Sequence, residues 1–450
     1  AAYRWFAAPL LVLLLAGGNS LPVAAATVQP SFAHGQLGDW QRAGPTPLEQ
    51  APVPKPKPGS GSGSGEGSID EAPTDHLVEE GAPDPALAVT NLDDVEKAVV
   101  QIAAVGTFAD PSEGMIMNAA GRGSGFIIDP AGIAVTNNHV VTGAAFLKVF
   151  VAGEAKPRNA RVLGVSECSD LAVIDIQGDG YPYLTWSKER VKVGLEIYAA
   201  GFPLGDPEFT LTRGIIAKAN ADGESSWASV DHVIQHDAAT NPGNSGGPIV
   251  DENGGAIAVH YAGNNETDQY FAIAIDEALP VLEQLRAGHD VDAIGVNGEA
   301  VSIGEDMTGI WVASVASGSV ADAAGIKPED IILTMEGVSL GAAGTMTEYC
   351  DILRSHDPSD VLAIKVLRLG SEEVMEGQLN GRPLEVSFSL ADQIEQSGDE
   401  PSGESTAGGA TYAEYVTITD DSGILSVEAP ADWSDVDSGP WVSNDQEIGL

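Results

Sequence analysis

The chain between residues 91 and 286 consists of short apolar runs that are separated by Gly, Asp, Pro or Asn. Runs of this length, punctuated by turn residues, are typical of β-strands in a barrel or sandwich and not of alternating strands and long helices. We therefore predict a mainly β domain over residues 91–286, large enough for two small barrels. The clearest runs cover residues 126–128, 133–135, 147–151, 171–176, 196–200, 214–216 and 256–259.

A different pattern over residues 287–386 predicts a second, smaller domain. Strands are expected at residues 309–315, 331–335 and 361–367, with a short helix at residues 320–324 and a longer one at residues 345–355. The longer helix repeats its apolar residues at spacings of three and four, which places them on one face. These residues are Met346, Tyr349, Cys350 and Leu353.

The first 90 residues look like a leader and a linker. Arg4 precedes an apolar run, and small residues up to Ala26 suit cleavage, so residues 1–26 form either a signal peptide or an uncleaved membrane anchor. A buried core helix is a third interpretation. Residues 27–90 are rich in Pro, Gly and Ser and predict a disordered linker. With either leader, the body of the protein is extracytoplasmic: secreted, periplasmic or at the cell surface.

The acidic composition restricts the partners. Lys and Arg number 21 against 66 Asp and Glu, which gives a formal net charge of −45. A nucleic-acid binder needs a basic face, so no nucleic-acid partner is expected, and docking on an anionic lipid surface is equally disfavoured. The charge fits a well-solvated surface, or alternatively one that repels acidic substrates.

The last part of the chain holds no Lys or Arg beyond Arg382. Residues 387–411 predict an acidic linker. Residues 412–450 look foldable again, with strands expected at residues 415–419 and 424–427, and they are interpreted as a partial C-terminal domain.

The two cysteines, Cys168 and Cys350, are far apart in the sequence. Two cysteines cannot build a disulfide framework, and we predict that both are buried free thiols in different domains. No close Cys pair or Cys/His spacing is present, so no metal site is expected.

Three segments carry side chains that combine in nucleophilic catalysis: His139, Asp170 and Ser245. They occur in the order His, Asp, Ser, which is the order of chymotrypsin-type proteases. A Ser hydroxyl needs an imidazole to take its proton, and the imidazole needs a carboxylate to orient it. The main-chain N–H groups of Gly243 and Ser245 are predicted to form the oxyanion hole, because Gly tolerates the required turn.

With these motifs the sequence resembles the HtrA/Deg-type serine proteases that are followed by a PDZ domain, over about residues 95–370. The resemblance implies a chymotrypsin-like double six-stranded β-barrel and hydrolysis of unfolded or misfolded extracytoplasmic proteins. It also implies no cofactor and often a homotrimer. The motifs are GSGF at residues 123–126, TNNHV at 136–140, DLAV at 170–173, GFPLG at 201–205 and DAATNPGNSGGP at 237–248.

The resemblance also suggests two binding surfaces. Ala239, His260, Tyr261 and Phe271 should line the primary specificity pocket, although packing of His260 and Tyr261 in the barrel is an equally open alternative. Bulky walls without an acidic base predict cleavage after small or medium apolar residues. The segment AIGVNG at residues 293–298 resembles the carboxylate-binding loop of a PDZ domain.

In that loop, Ile294, Gly295 and Val296 would supply N–H donors and a pocket for a peptide C-terminus that adds to the sheet as an extra strand. A plain β-turn at Gly295 is the alternative. For the whole protein, two other functions stay open: a peptide-binding chaperone or scaffold with a resting triad, and a hydrolase of esters only.

Overall fold

The computed structural model of the protein describes residues 83–111, 114–264, 267–303, 307–389, 415–419, 426–430, 441–443 and 446–449. The predicted leader, the linker up to residue 82 and the acidic linker from residue 390 lie outside the described residues. The chain divides into two compact units, residues 1–390 and 391–450. In the described part no helix is long and apolar enough to cross a membrane.

The first domain begins with a closed barrel of six antiparallel strands in the order β1-β2-β3-β6-β5-β4. Apolar side chains from all of its strands fill the interior, among them Ile102, Ile127 and Ile174. Closure pairs every strand on both sides, so the barrel has no free edge. The strands are β1 Val99–Asp110, β2 Gly114–Asp129, β3 Ile133–Thr136, β4 Ala144–Phe150, β5 Arg158–Ser166 and β6 Leu171–Ile176.

A second closed six-stranded barrel follows, in the order β10-β11-β12-β9-β8-β7. A separate apolar cluster spans both barrels and includes Phe126, Leu171 and Tyr261. The double barrel predicted from the motifs is thereby confirmed. Its strands are β7 Glu196–Gly201, β8 Thr210–Glu224, β9 Ser229–His236, β10 Pro248–Val250, β11 Ala256–Asn264 and β12 Gln269–Ala274.

The second domain is one mostly antiparallel sheet in the order β13-β14-β15-β17-β18-β19, with β16 paired to β15. In this order β13 is an edge strand, which leaves one side of it open to another chain segment. The strands are β13 Val296–Ile303, β14 Met307–Val315, β15 Asp330–Met335, β16 Val338–Ser339, β17 Leu362–Arg368, β18 Glu373–Leu379 and β19 Glu385–Ser389.

Both helices predicted for the second domain are present, and the first domain contains two helices that the sequence analysis did not predict. Ser319 caps the helix Val320–Ala324 by accepting the Asp322 N–H. Gly325 ends this helix in the left-handed conformation that only glycine adopts freely. In the helix Thr347–Arg354, the predicted apolar face with Tyr349, Cys350 and Leu353 is entirely buried, as is Met346 directly before it. The helices are α1 Asn138–Val141, α2 Ile275–Arg286, α3 Val320–Ala324 and α4 Thr347–Arg354, with 3₁₀ turns at Pro85–Leu87, Leu92–Lys97, Pro203–Gly205 and Leu369–Ser371.

The described residues include a segment before residue 91 that packs against the first domain. Pro85–Leu87 forms a 3₁₀ turn, and Val89 is 5% exposed and donates its N–H to the Tyr183 carbonyl at 2.9 Å. The apolar run Ala86–Val89 is only four residues long and follows a proline-rich stretch, so it gives no periodic signal, and the sequence analysis places this segment in the linker. In the C-terminal unit, β20 Tyr415–Thr419 pairs with β21 Ser426–Pro430, and β22 Trp441–Ser443 pairs with β23 Gln446–Gly449.

The prediction of two free thiols was wrong: Cys168 and Cys350 form a disulfide, with Cα atoms 5.5 Å apart. Both cysteines are fully buried, and Cys168 of the first domain packs in the apolar cluster of the second domain, so the bond exists because the two domains pack together. The two cysteines are 182 residues apart in the sequence, so the sequence pattern did not indicate that they would meet.

The second domain contacts the first close to the His139 segment. Asn297 Nδ2 donates to the His139 carbonyl at 3.2 Å, and Ser314 Oγ donates to the Thr142 carbonyl at 2.9 Å. These bonds hold the end of α1 from outside the barrels, so the second domain supports the helix that carries the predicted base.

Candidate active site

His139 and Asp170 form a buried pair between the two barrels. His139 lies in α1, and Asp170 lies in the turn directly before β6. His139 Nδ1 lies 2.7 Å from Asp170 Oδ2, and the His139 main-chain N–H donates to Asp170 Oδ1 at 3.0 Å. Because both carboxylate oxygens contact one residue, the ring is fixed in a single orientation, as a general base requires.

The backbone at Asp170 is held from both directions. Its φ is +49°, in the left-handed region that Asp tolerates better than most residues. Asn137 Nδ2 donates to the Asp170 carbonyl at 2.7 Å, and the Asp170 N–H donates to the Glu167 carbonyl at 3.3 Å. The nearby Asp175 is not part of this arrangement, because it pairs with Arg161 at 2.9 Å on the barrel surface.

Ser245 lies in the tight turn before β10, and this turn packs against the end of β3. The next residue, Gly246, has φ +83°, and a Cβ there would lie 2.3 Å from Thr136 Oγ1. Only glycine allows that approach. Since Thr136 stands three residues before His139, the structure brings the turn with the predicted nucleophile to the segment with the predicted base.

The predicted oxyanion residues lie in the same turn. Gly243 has φ +102°, and a Cβ there would lie 2.6 Å from the Phe202 carbonyl oxygen. The Leu204 N–H donates to the Pro242 carbonyl at 2.6 Å. In a planar trans peptide the N–H points opposite to the carbonyl, so the Gly243 N–H is directed away from Leu204.

Ser124 is a supporting residue that the sequence analysis did not assign. Its hydroxyl donates to the Gly243 carbonyl at 2.7 Å and accepts the Phe202 N–H at 2.9 Å, and the side chain is fully buried. Ser124 thus fixes the peptide that follows Gly243. The GSGF motif contained this residue, but a serine between glycines gives no chemical signal beyond that of a turn.

The predicted pocket residues occupy different environments. The His260 carbonyl accepts the Gly246 N–H at 2.8 Å, so His260 lies beside the Ser245 turn. Ala239 is exposed, and Phe271 is half-buried on the neighbouring strand. Their assignment to a substrate pocket stays a prediction.

Tyr261 is packed in the apolar cluster between the barrels, and its hydroxyl donates to the Gly223 carbonyl at 3.3 Å. Trp227 lies between Tyr261 and the predicted base, with ring centroids 6.4 Å from Tyr261 and 6.5 Å from His139. Trp227 belongs to the connection from β8 to β9, where its sequence neighbours are small and polar. Nothing in that segment marked it as a neighbour of the site.

Two buried histidines are held neutral next to the Ser245 turn. Burial lowers the pKa of His236 to about 4, against the opposing charge of Asp237. Burial also lowers the pKa of His260 well below its usual range, and the nearby His236 and His139 lower it further. The rings of His236 and His260 lie 5.7 Å apart. Both side chains are therefore uncharged at neutral pH.

The predicted carboxylate-binding loop does hold a carboxylate, but it belongs to this chain. The N–H groups of Ile294, Gly295 and Val296 donate to Glu167 Oε1 at 3.0, 2.6 and 2.7 Å. The Tyr349 hydroxyl donates to Glu167 Oε2. Burial raises the pKa of Glu167 to about 7, while these four hydrogen bonds act to lower it. A plain β-turn at Gly295 does not describe this arrangement.

Among the described residues there is no cluster of three or more His, Cys, Asp or Glu side chains that could hold a metal ion.

Comparison with known families defines the class of protein. The trypsin-like peptidase domain family matches residues 123–259, which contain His139, Asp170 and Ser245. The PDZ domain family matches residues 311–368 of the second domain. The chain therefore carries a trypsin-like peptidase domain followed by a PDZ domain.

The chain is similar to several curated serine proteases. The chain is 33% identical over 269 residues to the "Probable periplasmic serine endoprotease DegP-like" of Hahella chejuensis (strain KCTC 2396), covering 56% of this chain and 56% of the relative. It is 32% identical over 282 residues to "Serine protease Do-like HtrA" of Bacillus subtilis (strain 168), covering 56% and 62%. A solved structure, "HtrA-type protease AlgW with decapeptide", aligns at 25% identity and a TM-score of 0.40, covering 66% of this chain and 98% of the other.

The resemblance predicted from the motifs is confirmed: the chain carries a trypsin-like peptidase domain with a PDZ domain and is similar to proteases of the HtrA and DegP type. The chain spans less than two thirds of the length of these two curated relatives.

Proposed function

We propose that the protein is a serine endopeptidase that hydrolyses peptide bonds of unfolded or misfolded extracytoplasmic proteins without ATP. The observation that carries this proposal is the buried pairing of His139 with Asp170, with the Ser245 turn packed against the same segment. Such an arrangement suits proton transfer from a hydroxyl.

In the proposed reaction, Ser245 Oγ attacks the carbonyl carbon of the scissile peptide, while His139 takes the hydroxyl proton. The Asp170 carboxylate stabilises the resulting imidazolium through Nδ1. His139 then gives this proton to the amine as the C–N bond breaks, which leaves an acyl group on Ser245 Oγ. A water molecule attacks the acyl carbonyl while His139 takes one of its protons, and His139 gives that proton to Ser245 Oγ as the acid leaves. The serine and the histidine are thereby regenerated, so no cofactor is consumed.

The developing oxyanion is assigned to the N–H groups of Gly243 and Ser245. The Ser124 hydroxyl donates to the Gly243 carbonyl oxygen and holds it away from the proposed oxyanion position. This hydrogen bond supports the orientation of the turn. Such preorganised donors cost no reorganisation when charge develops, and each typically contributes about 2.7 to 4 kcal/mol to the barrier reduction.

ATP independence follows from the chemistry of the proposed substrates. Peptide hydrolysis is energetically downhill, and an unfolded chain already presents extended segments, so no motor is required to open it. The extracytoplasmic location is supported by the Cys168–Cys350 disulfide, because such bonds persist in oxidising compartments. The word "periplasmic" in the name of the Hahella chejuensis relative agrees with that location.

The proposed specificity is for small or medium apolar residues on the acyl side of the cleaved bond. His260 lies beside the Ser245 turn and is neutral because of its burial, so this wall offers no charge to a basic side chain. We expect a peptide library to be cut after Ala, Val or Leu. A preference for cleavage after Lys or Arg would refute this assignment.

The second domain is proposed to bind peptide C-termini through the loop of Ile294, Gly295 and Val296. The triple N–H arrangement at that loop is suited to a carboxylate, as its binding of Glu167 illustrates. A homotrimer is proposed on the strength of the family resemblance. The domain limits at residues 91–286 and 287–386 are proposed from the pattern of apolar runs along the chain.

Digestion of unfolded casein tests the proposal. We expect the wild-type protein to release peptides without ATP and Ser245→Ala to release none. Turnover of an activated ester without any of casein would favour the ester-hydrolase alternative. Casein binding without turnover of either substrate would favour the scaffold alternative.

A further inference from the structure

Resting on the peptide-binding role proposed above, we infer that Glu167 is the resident ligand of the carboxylate-binding loop. A peptide C-terminus can enter that loop only when Glu167 withdraws, and the Cys168–Cys350 disulfide opposes its withdrawal. The second domain is thereby closed to peptides as long as the disulfide is intact.

The first step is the occupancy of the donors. Glu167 is 2% exposed, and one of its oxygens accepts three successive main-chain N–H groups while the other accepts the Tyr349 hydroxyl. A peptide carboxylate would need the same three N–H groups. Two carboxylates cannot share them, because the donors are used and like charges at that distance repel. Binding of Glu167 and binding of a peptide are mutually exclusive.

The second step concerns the groove beside the loop. A bound peptide would add to the open edge of β13 Val296–Ile303, with α4 on the other side. Protease segments already contact both: the Ala300 N–H donates to the Ser226 carbonyl at 2.6 Å, and the Met346 N–H donates to the Ser225 carbonyl at 3.1 Å. Thr347 Oγ1, at the start of α4, donates to Glu224 Oε2 at 2.8 Å. The connection from β8 to β9 therefore covers the place of the peptide.

The third step is the tether. Cys168 directly follows Glu167, and Cys350 directly follows Tyr349, so the disulfide joins the same two segments as the Glu167–Tyr349 hydrogen bond. A ligand attached in this way stays at high effective concentration after each dissociation event. Both cysteines are fully buried, so the bond is shielded in the packed state.

Opening the bond needs a reductant, for which a dithiol is the natural class. Two thiols of the reductant become a disulfide while Cys168 and Cys350 each gain one hydrogen, so electrons and protons balance. Glu167 then remains linked to the loop by hydrogen bonds alone. A peptide carboxylate can compete with it under those conditions.

The test measures the binding of a fluorescein-labelled decapeptide that ends in valine, compared with its C-terminal amide. The full chain carries Ser245→Ala, so that the probe is not cut. With the disulfide intact, acid and amide should bind equally weakly. When Glu167→Ala is combined with Cys168→Ser and Cys350→Ser, the acid should bind at least tenfold more tightly than the amide, as expected when a loop that is free less than about a tenth of the time becomes fully available.

Cys168→Ser combined with Cys350→Ser should give an intermediate preference for the acid. Glu189→Ala, which removes an exposed carboxylate, serves as the matched control and should leave binding unchanged. Should Glu167→Ala fail to fold, Glu167→Gln keeps an oxygen acceptor without the charge and should also create a preference for the acid. A tenfold preference for the acid over the amide in the disulfide-bonded protein with Glu167 present would overturn the inference. The lack of any such preference after Glu167 is removed would overturn it as well.

The same substitutions are assayed for casein digestion with Ser245 restored. A protein that fails to digest casein but gains the preference for the peptide acid contradicts the proposed protease function and leaves the inference standing. Casein digestion without any change in the preference for the peptide acid contradicts the inference and leaves the proposed protease function standing.

Discussion

Ser245→Ala is expected to lower kcat for unfolded casein by about 10⁶-fold, which is to the limit of detection. The substitution removes the only group proposed to bond with the substrate carbon, and alanine cannot replace its hydroxyl. Because Ser245 is 3% exposed and the change removes a single oxygen, the fold should be retained. Initial rates of peptide release from labelled casein measure the effect.

The matched control for this substitution is Ser371→Ala, which removes an exposed hydroxyl far from the turn at Ser245. It should leave kcat within a factor of about two. Casein digestion that survives in Ser245→Ala at more than a few per cent would show that another group is the nucleophile, and would end the proposed assignment.

Asp170→Asn is expected to reduce kcat by about 10⁴-fold with a smaller change in KM. The amide has the same shape as the carboxylate, but it carries no charge to stabilise the imidazolium. An amide also offers one oxygen and one NH₂ group, whereas Asp170 accepts through one oxygen from the His139 main chain and contacts Nδ1 through the other. The ring would be held in the wrong tautomer or lose one of these contacts.

The control for Asp170→Asn is Asp175→Asn, since Asp175 lies five residues away in β6 and pairs with Arg161. This change should alter kcat less than threefold. Equal losses in the two variants would mean that the effect is one of general charge or folding and not of the pairing with His139. Steady-state kinetics on a chromogenic peptide, with circular dichroism as a check on folding, separates these outcomes.

Much of the fold was accessible from the sequence because it is encoded locally. Short apolar runs between turn residues give strands, and the helix at Val320–Ala324 and the strand at Tyr415–Thr419 appear at the predicted residues. The candidate site was accessible because motifs of a few residues surround each of its side chains. In these cases the signal and the structure lie in the same stretch of chain.

The missed features all depend on packing between distant segments. Glu167 looked like an ordinary acidic residue before the motif with Asp170, since its partners lie more than a hundred residues away at Ile294, Gly295 and Val296. The disulfide was missed for the same reason. Trp227 lies beside His139 only because the connection from β8 to β9 packs against the His139 segment. No local pattern reports such contacts.

The most direct test is labelling by a fluorophosphonate probe, which reacts with a serine only when a neighbouring base activates its hydroxyl. We expect the wild-type protein to gain one probe, mass spectrometry of the digest to place it on Ser245, and Asp170→Asn to react far more slowly. A protein that stays unlabelled with and without unfolded casein, or is labelled at another serine, would contradict it.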